Sequence, residues 1–154
     1  MADLQPGDIA PDFSGSTQTG EIALKNLRGK TVILFFYPKD NTPGCTTESN
    51  DFKADYQKFR RRGATVLGIS RDSVASHEKF KSKFDFPFDL LSDADEKVCQ
   101  LFDVIKEKNM YGRKVLGIVR STFLIDETGK LRQEWRKVKV AGHVDQVLAA
   151  VKAL

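Results

Sequence analysis

The run Thr31-Val32-Ile33-Leu34-Phe35-Phe36 constrains the fold of this chain more than any other stretch. Apart from Leu34 it is β-branched or aromatic throughout, with no polar residue at alternate positions. That is the pattern of a strand covered on both faces, and such strands sit inside α/β sheets. A second run, Ala64-Thr65-Val66-Leu67-Gly68-Ile69-Ser70, reads the same way. Between them, Phe52, Tyr56 and Phe59 recur at helical spacing. The pattern predicts one helix from Cys45 to Arg62, with Gly63 just beyond its end. Strand, helix and strand in this order favour a parallel pair with a helical crossover.

The rest of the chain continues the alternation. Asp72 or Ser73 can cap a helix carrying Val74, His77, Phe80 and Phe84 on one side. Phe86 to Leu91 reads as extended. Asp93 or Asp95 caps a short helix through Val98, Leu101 and Phe102. Arg120 to Asp126 reads as a strand, Glu127-Thr128-Gly129-Lys130 as a turn, and Leu131 to Val138 as its hairpin partner. His143 to Leu154 closes the chain as an amphipathic helix. At the other end, Ala10 to Phe13 and the Gly/Ser/Thr cluster from Ser14 to Gly20 read as irregular, followed by a short strand over Glu21 to Leu24. The expectation is a mixed central sheet flanked by helices, in one domain spanning residues 1–154.

Composition narrows the function classes. With 40% hydrophobic and 30% charged residues, the chain reads as globular rather than disordered. No apolar run reaches the ~20 residues needed to span a bilayer. The first eight residues carry no basic segment followed by an apolar one, so the expectation is a cytoplasmic protein with no membrane partner. The net charge of +4 comes from scattered lysines and arginines, without a nucleic-acid-binding motif. Two cysteines do not make a disulfide framework, and there is no Cys-x-x-Cys pair. His77 and His143 stand alone rather than at ligand spacing, so no metal site is expected.

The chemistry concentrates at Cys45. It follows Pro43-Gly44, where the first strand's turn gives way to a helix. Free N–H groups and the dipole of a helix start both favour a thiolate. The site lies beyond the carboxyl end of the strand, where α/β sheets place ligands. Thr42 can cap the helix, donate to the thiolate or hold a substrate oxygen. The bland alternative for Cys45 is a packed core cysteine, since free cysteines are commonly buried and inert.

Pro38-x-x-x-Thr42-x-x-Cys45, within Tyr37-Pro38-Lys39-Asp40-Asn41-Thr42-Pro43-Gly44-Cys45-Thr46-Thr47-Glu48, resembles the peroxidatic-cysteine motif of the peroxiredoxins. The likeness is to the bacterioferritin comigratory protein, or PrxQ, subfamily. It extends through Gly7-Asp8-x-Ala10-Pro11-Asp12-Phe13, Gly68-Ile69-Ser70-Arg71-Asp72, Leu91-Ser92-Asp93, Arg120 to Ile125 and Val138-Lys139-Val140-x-Gly142-His143. The resemblance implies a thioredoxin-like fold with an N-terminal extension and thiol-dependent reduction of hydrogen peroxide and organic hydroperoxides, without a cofactor. It implies Cys45 as the attacking thiolate, Thr42 as a donor to the peroxide, and Pro38 as the residue that shields the sulfur. It also implies backbone N–H groups at Gly44 and Cys45 as charge stabilisers, Arg120 as the active-site guanidinium, and Glu48 as its support. Arg120 alone would read as a surface arginine at a strand end, and Glu48 alone as an acidic residue suited to a helix's first turn.

The chain departs from the subfamily where the second thiol belongs. Asn50 stands five residues after Cys45, and Lys81 at the alternative position in the next helix. The remaining thiol is Cys99, in the apolar stripe of a short helix, where a packed core residue is the preferred reading and a resolving cysteine the other. The expectation is a one-cysteine cycle in a monomer, resolved by an external thiol such as thioredoxin, glutaredoxin or glutathione. Three competing readings are a two-cysteine cycle through Cys99, a thiol–disulfide oxidoreductase, and a redox sensor or holdase with little turnover. A fourth, a calcium loop at Ser92-Asp93-Ala94-Asp95-Glu96, lacks the Gly and further oxygen ligands at the required offsets and reads better as a helix cap.

Overall fold

The computed structural model describes residues 4–154; Met1 to Asp3, part of the segment read for a targeting signal, lie outside the described residues. The strand expected at Thr31 forms β3 (Thr31–Phe36), and the second run forms β4 (Ala64–Ser70), parallel to it. The seven-stranded sheet has the order β2-β1-β5-β4-β3-β8-β9. Its other strands are β1 (Ser14–Thr17), β2 (Gly20–Ala23), β5 (Asp89–Ser92), β8 (Ser121–Ile125) and β9 (Leu131–Arg136). The mixed sheet and its helices form a thioredoxin-like fold.

Residues of β3 alternate between two cores because strand side chains alternate between faces. Val32, Leu34 and Phe36 join Phe13, Cys99 and Phe102 on one face. Ile33, Phe35 and Tyr37 join Cys45, Phe52, Phe59 and Phe80 on the other. Both faces are sealed from Val32 to Phe36, which is why that stretch holds no polar residue.

The helices are α1 (Pro43–Ala54), α2 (Tyr56–Arg61), α3 (Val74–Phe84), α4 (Lys97–Leu101) and α5 (His143–Lys152). The single helix expected over 45–62 is therefore two. Asp55, with φ −101° and ψ 8°, ends α1 and begins α2, so that Phe52 and Phe59 can both pack under the sheet with ring centroids 5.8 Å apart. Gly63 follows α2 at φ +70°, as expected of a residue just past a helix end. Ser73 caps α3, its hydroxyl accepting from the Ser76 N–H at 3.1 Å.

Two elements depart from the sequence reading. Ser14–Thr17, expected to be irregular, is a strand because it pairs with β2 and touches β5 at Ser16↔Ser92. Its small polar side chains give no hydrophobic period. A second sheet, β6 (Ile105–Met110) with β7 (Arg113–Ile118), forms a hairpin that runs into β8. Its charged first strand, Lys106-Glu107-Lys108-Asn109, carries no strand signal. No helix among the described residues is long and apolar enough to cross a membrane.

Candidate active site

The turn after β3 and the start of α1 place Cys45. Asn41 takes a left-handed conformation, φ +59°, which reverses the chain, and Pro43 occupies the first helical turn, where a missing N–H costs nothing. The first intrahelical bond is Thr46 N–H to the Thr42 carbonyl, 2.9 Å. The Gly44 and Cys45 N–H groups precede it and have no intrahelical acceptor.

The inward stripe of α1 is Cys45, Glu48, Ser49 and Phe52, the i, i+3, i+4, i+7 face of a helix. Three of these four are polar or reactive, although all are buried. A core-facing stripe of that kind is costly unless its polar groups find partners. Ser49 went unread in the sequence; the stripe itself was the signal that could have found it. Taken alone, Glu48 suits a helix's first turn, but α1 begins at Pro43 and its first turn holds no acidic residue. Glu48 lies a turn further in, fully buried, facing Arg120 rather than solvent.

Arg120 arrives from late in the chain, with the strand next to β3. It immediately precedes β8, whose Ser121 pairs antiparallel with Phe36, the last residue of β3. Its guanidinium therefore meets the end of β3 and the start of α1. Nη1 donates to Glu48 Oε1 at 2.8 Å, and Nη2 lies 3.4 Å from Cys45 Sγ. A Cβ on Gly44 would stand 3.0 Å from Nη2, so glycine is what allows the approach. Cys45 itself is only 1% exposed.

Burial pushes the Glu48 carboxyl up to about 7, against the opposing pull of Arg120. Arg120 is held above its ordinary value: burial lowers it, but Glu48 and the Cys45 sulfur outweigh that. His143, buried beside Thr122 Oγ1 at 2.8 Å, is pushed down to about 4 by burial and by the charge of Arg120.

These two groups give opposite stability trends. Between pH 4.5 and 7 the folded state holds a Glu48 proton that the unfolded chain has lost, so stability falls as pH rises. Between pH 4 and 6.5 the unfolded chain holds a His143 proton that the folded state refuses, so stability rises with pH. Each is worth on the order of 3 kcal/mol. Wild type is expected to vary little between pH 4.5 and 6.5. Glu48→Gln should show the rise alone, measured by urea unfolding at stepped pH; a variant profile as flat as wild type would contradict this.

Thr42 does not cap α1. Its hydroxyl turns back to donate to the Lys39 carbonyl at 2.8 Å, closing the turn. Pro38 is half-buried directly after Tyr37. Asn50 is half-buried on α1, and Lys81, on α3, pairs with Asp89 at 2.9 Å. Cys99 is fully buried in the core on the opposite face of the sheet from Cys45. Burial and the nearby Asp93 carboxylate push its thiol well up. Asp93 accepts from the Val98 and Cys99 N–H groups, and Asp95 from that of Lys97, so the acidic run 92–96 serves as the start of α4.

His77 does not stand alone, contrary to the sequence reading. Asp40, Asp72 and His77 bring their polar atoms within 4.8 Å of one another, because parallel β3 and β4 deliver their following loops to the same edge. His77 Nδ1 lies 2.6 Å from Asp40 Oδ2, which also accepts from Ser76, and Nε2 faces the Leu91 carbonyl at 3.0 Å. Tyr37 donates to Asp40 Oδ1 at 2.6 Å, and the Asp40 N–H to Asp72 at 2.8 Å. The network fixes the Lys39–Asp40 peptide on its N–H side, while Thr42 holds its carbonyl.

The AhpC/TSA family model matches residues 6–134. The chain is similar to peroxiredoxin Bcp of Xanthomonas campestris, 57% identical over 95% of this chain and 89% of the relative. It is 46% identical to peroxiredoxin Bcp of Bacillus subtilis, over 97% of this chain and 96% of that one. Among solved structures it resembles the bacterioferritin comigratory protein of X. campestris, studied for its alkyl peroxide reduction activity. The TM-score is 0.90 and the identity 52%, over 99% of this chain and 98% of that one.

Proposed function

Because the chain belongs to the AhpC/TSA family, and within it to the Bcp/PrxQ peroxiredoxins, we propose that Cys45 is its peroxidatic cysteine and that an external thiol completes the cycle. A peroxiredoxin reduces hydroperoxides with electrons from thiols. The observation that carries the assignment is the 3.4 Å approach of the Arg120 guanidinium to Cys45 Sγ at the start of α1.

The Cys45 thiolate attacks one oxygen of the hydroperoxide in line with the O–O bond. That bond breaks, the sulfur becomes a sulfenic acid, and the second oxygen leaves as alkoxide or hydroxide and takes a proton. Arg120 stabilises the thiolate beforehand and the charge on oxygen as it develops. The Gly44 and Cys45 N–H groups supply donors to the same oxygen. Thr42 joins by exchanging its bond to Lys39 for one to the peroxide, and Pro38 limits water at the sulfur. Glu48 holds Arg120 in place with one oxygen; its other oxygen, Oε2, has no partner among the described residues.

An external reductant follows from where the other thiol sits. Cys99 is on the far face of the sheet, and a disulfide requires Cα atoms within ~7 Å. Asn50 and Lys81 offer no sulfur. The attacking thiol, from thioredoxin, glutaredoxin or glutathione, reaches Cys45 when the first turn of α1 opens. The acting unit is the monomer, since Cys45, Glu48 and Arg120 all come from one chain. Two unpaired cysteines suit a cytoplasmic, reducing compartment.

Steady-state peroxide consumption tests the reading. Hydrogen peroxide and an alkyl hydroperoxide are both expected to be consumed with a thiol reductant, and insulin disulfides to remain unreduced. Insulin reduction without peroxide consumption would contradict it.

A further inference from the structure

Lys108 is a cation for which the mechanism above has no use. It lies half-buried on β6, on the hairpin that feeds through Ile118 and Val119 into Arg120. Its neighbours Lys106 and Lys114 pair with Asp103 and Glu107, whereas no ion pair engages Lys108 among the described residues. Its side chain passes over the buried Gly117. A Cβ there would stand 3.4 Å from Lys108 Cδ and 3.8 Å from Arg71 Nη2, so the two basic side chains lie over the same residue of β7. Arg71 follows β4 and Arg120 precedes β8, so both approach from the edge of the sheet where β3 ends and Cys45 sits.

The cluster's charges change during the cycle. Arg71 is paired with Glu96 at 3.0 Å and Arg120 with Glu48 at 2.8 Å. In the reduced protein the Cys45 thiolate adds a negative charge beside these cations. Oxidation to the neutral sulfenic acid removes it, and the cluster gains one positive charge at the moment the reductant must bind. Burial and the charges of Arg120 and Arg71 hold the Lys108 ammonium's pKa down, while Cys45 acts the other way.

We propose that Lys108, backed by Arg71, is a specificity-determining residue for the second half-reaction and selects a small thiol that bears a carboxylate. The inference rests on Cys45 forming the sulfenic acid. The reductant's thiolate attacks Cys45 Sγ; an S–S bond forms, the S–O bond breaks, and hydroxide leaves and is protonated to water. A second molecule of the same thiol attacks the mixed disulfide and releases the Cys45 thiolate. Throughout, the reductant's carboxylate lies against the Lys108 ammonium. Long-range attraction of this kind raises the encounter rate and weakens with salt.

The test uses the full chain oxidised with one equivalent of hydrogen peroxide, mixed in stopped flow with 3-mercaptopropionate, 2-mercaptoethanol or cysteamine, with rates expressed per thiolate. At low ionic strength the carboxylate-bearing thiol is expected to react about tenfold faster than the neutral one and the cationic thiol slower still. The advantage should shrink in 0.5 M salt, as screening of a surface cation over ~4 Å requires. In Lys108→Gln the ratio should fall to near one, and Lys108→Arg should restore it. A ratio near one in wild type, or one retained in Lys108→Gln, overturns the inference. Absence of sulfenic acid on Cys45 overturns the mechanism beneath it instead, and a dimedone-trapping control on the same sample tells the two failures apart.

Discussion

Replacing Cys45 with serine is expected to reduce peroxide consumption to the rate of the thiol reductant alone, while Cys99→Ser keeps turnover near that of wild type. The reasoning is chemical. A serine hydroxyl at this position is not ionised at neutral pH and cannot take on the oxygen that the sulfur takes as sulfenic acid. Cys99 has no comparable role: it is fully buried in the other core, and its thiol is pushed far from the thiolate form. Serine at position 99 buries a hydroxyl in an apolar cluster, so its cost belongs in stability, about 1–3 kcal/mol. Steady-state assays at matched folded concentration separate the two effects. Full activity in Cys45→Ser would end the assignment.

The second large effect belongs to Arg120. Arg120→Met is expected to slow oxidation of Cys45 by roughly 10²–10³-fold, the usual loss when one preorganised donor to a developing oxyanion is removed. The single-turnover rate with hydrogen peroxide is the measurement. The substitution also strands Glu48, which is fully buried and whose carboxyl, among the described residues, has its only polar partner in Arg120. Breaking a buried pair costs about 3–5 kcal/mol unless the remaining group neutralises. Glu48 already sits near 7 and can do so by taking a proton. The stability loss should therefore be smaller below pH 7 than above it, whereas the rate defect should persist at every pH. Recovery of the wild-type rate at acid pH would mean that Arg120 acts only as a partner for Glu48.

The parts of this site that were legible in the sequence are those written in local patterns. The unbroken apolar run at Thr31 to Phe36 announced a strand sealed on both faces, and Pro43-Gly44-Cys45 announced a helix start with a sulfur on it. Arg120 was not legible in that way. Nothing local distinguishes it from other arginines; only the antiparallel register of β8 on β3 carries it to Cys45, and the resemblance supplied what the residues could not. The Asp40–Asp72–His77 network escaped for the same reason, since its members are 32 and 37 residues apart and meet through the parallel pairing of β3 with β4. Ser14–Thr17 and the hairpin at 105–118 escaped for another. Their pairing is made by backbone hydrogen bonds, and side chains such as Ser14, Gly15, Lys106 and Glu107 leave no apolar period to read. The break at Asp55 was hidden because Phe52 and Phe59 keep helical spacing across it. Thr42 shows the limit of motif reasoning: its place in the string was right for a helix cap, but its hydroxyl was better satisfied by the Lys39 carbonyl.

The cycle itself is tested most directly by mass. The reduced protein, given one equivalent of hydrogen peroxide and no thiol, is expected to gain about 16 Da, the mass of one oxygen. Peptide mapping after dimedone trapping should place that oxygen on Cys45, with Cys99 still a free thiol. A protein that instead loses about 2 Da, with Cys45 and Cys99 joined in one disulfide-linked peptide, would contradict resolution by an external thiol and require the two faces of the sheet to open onto each other.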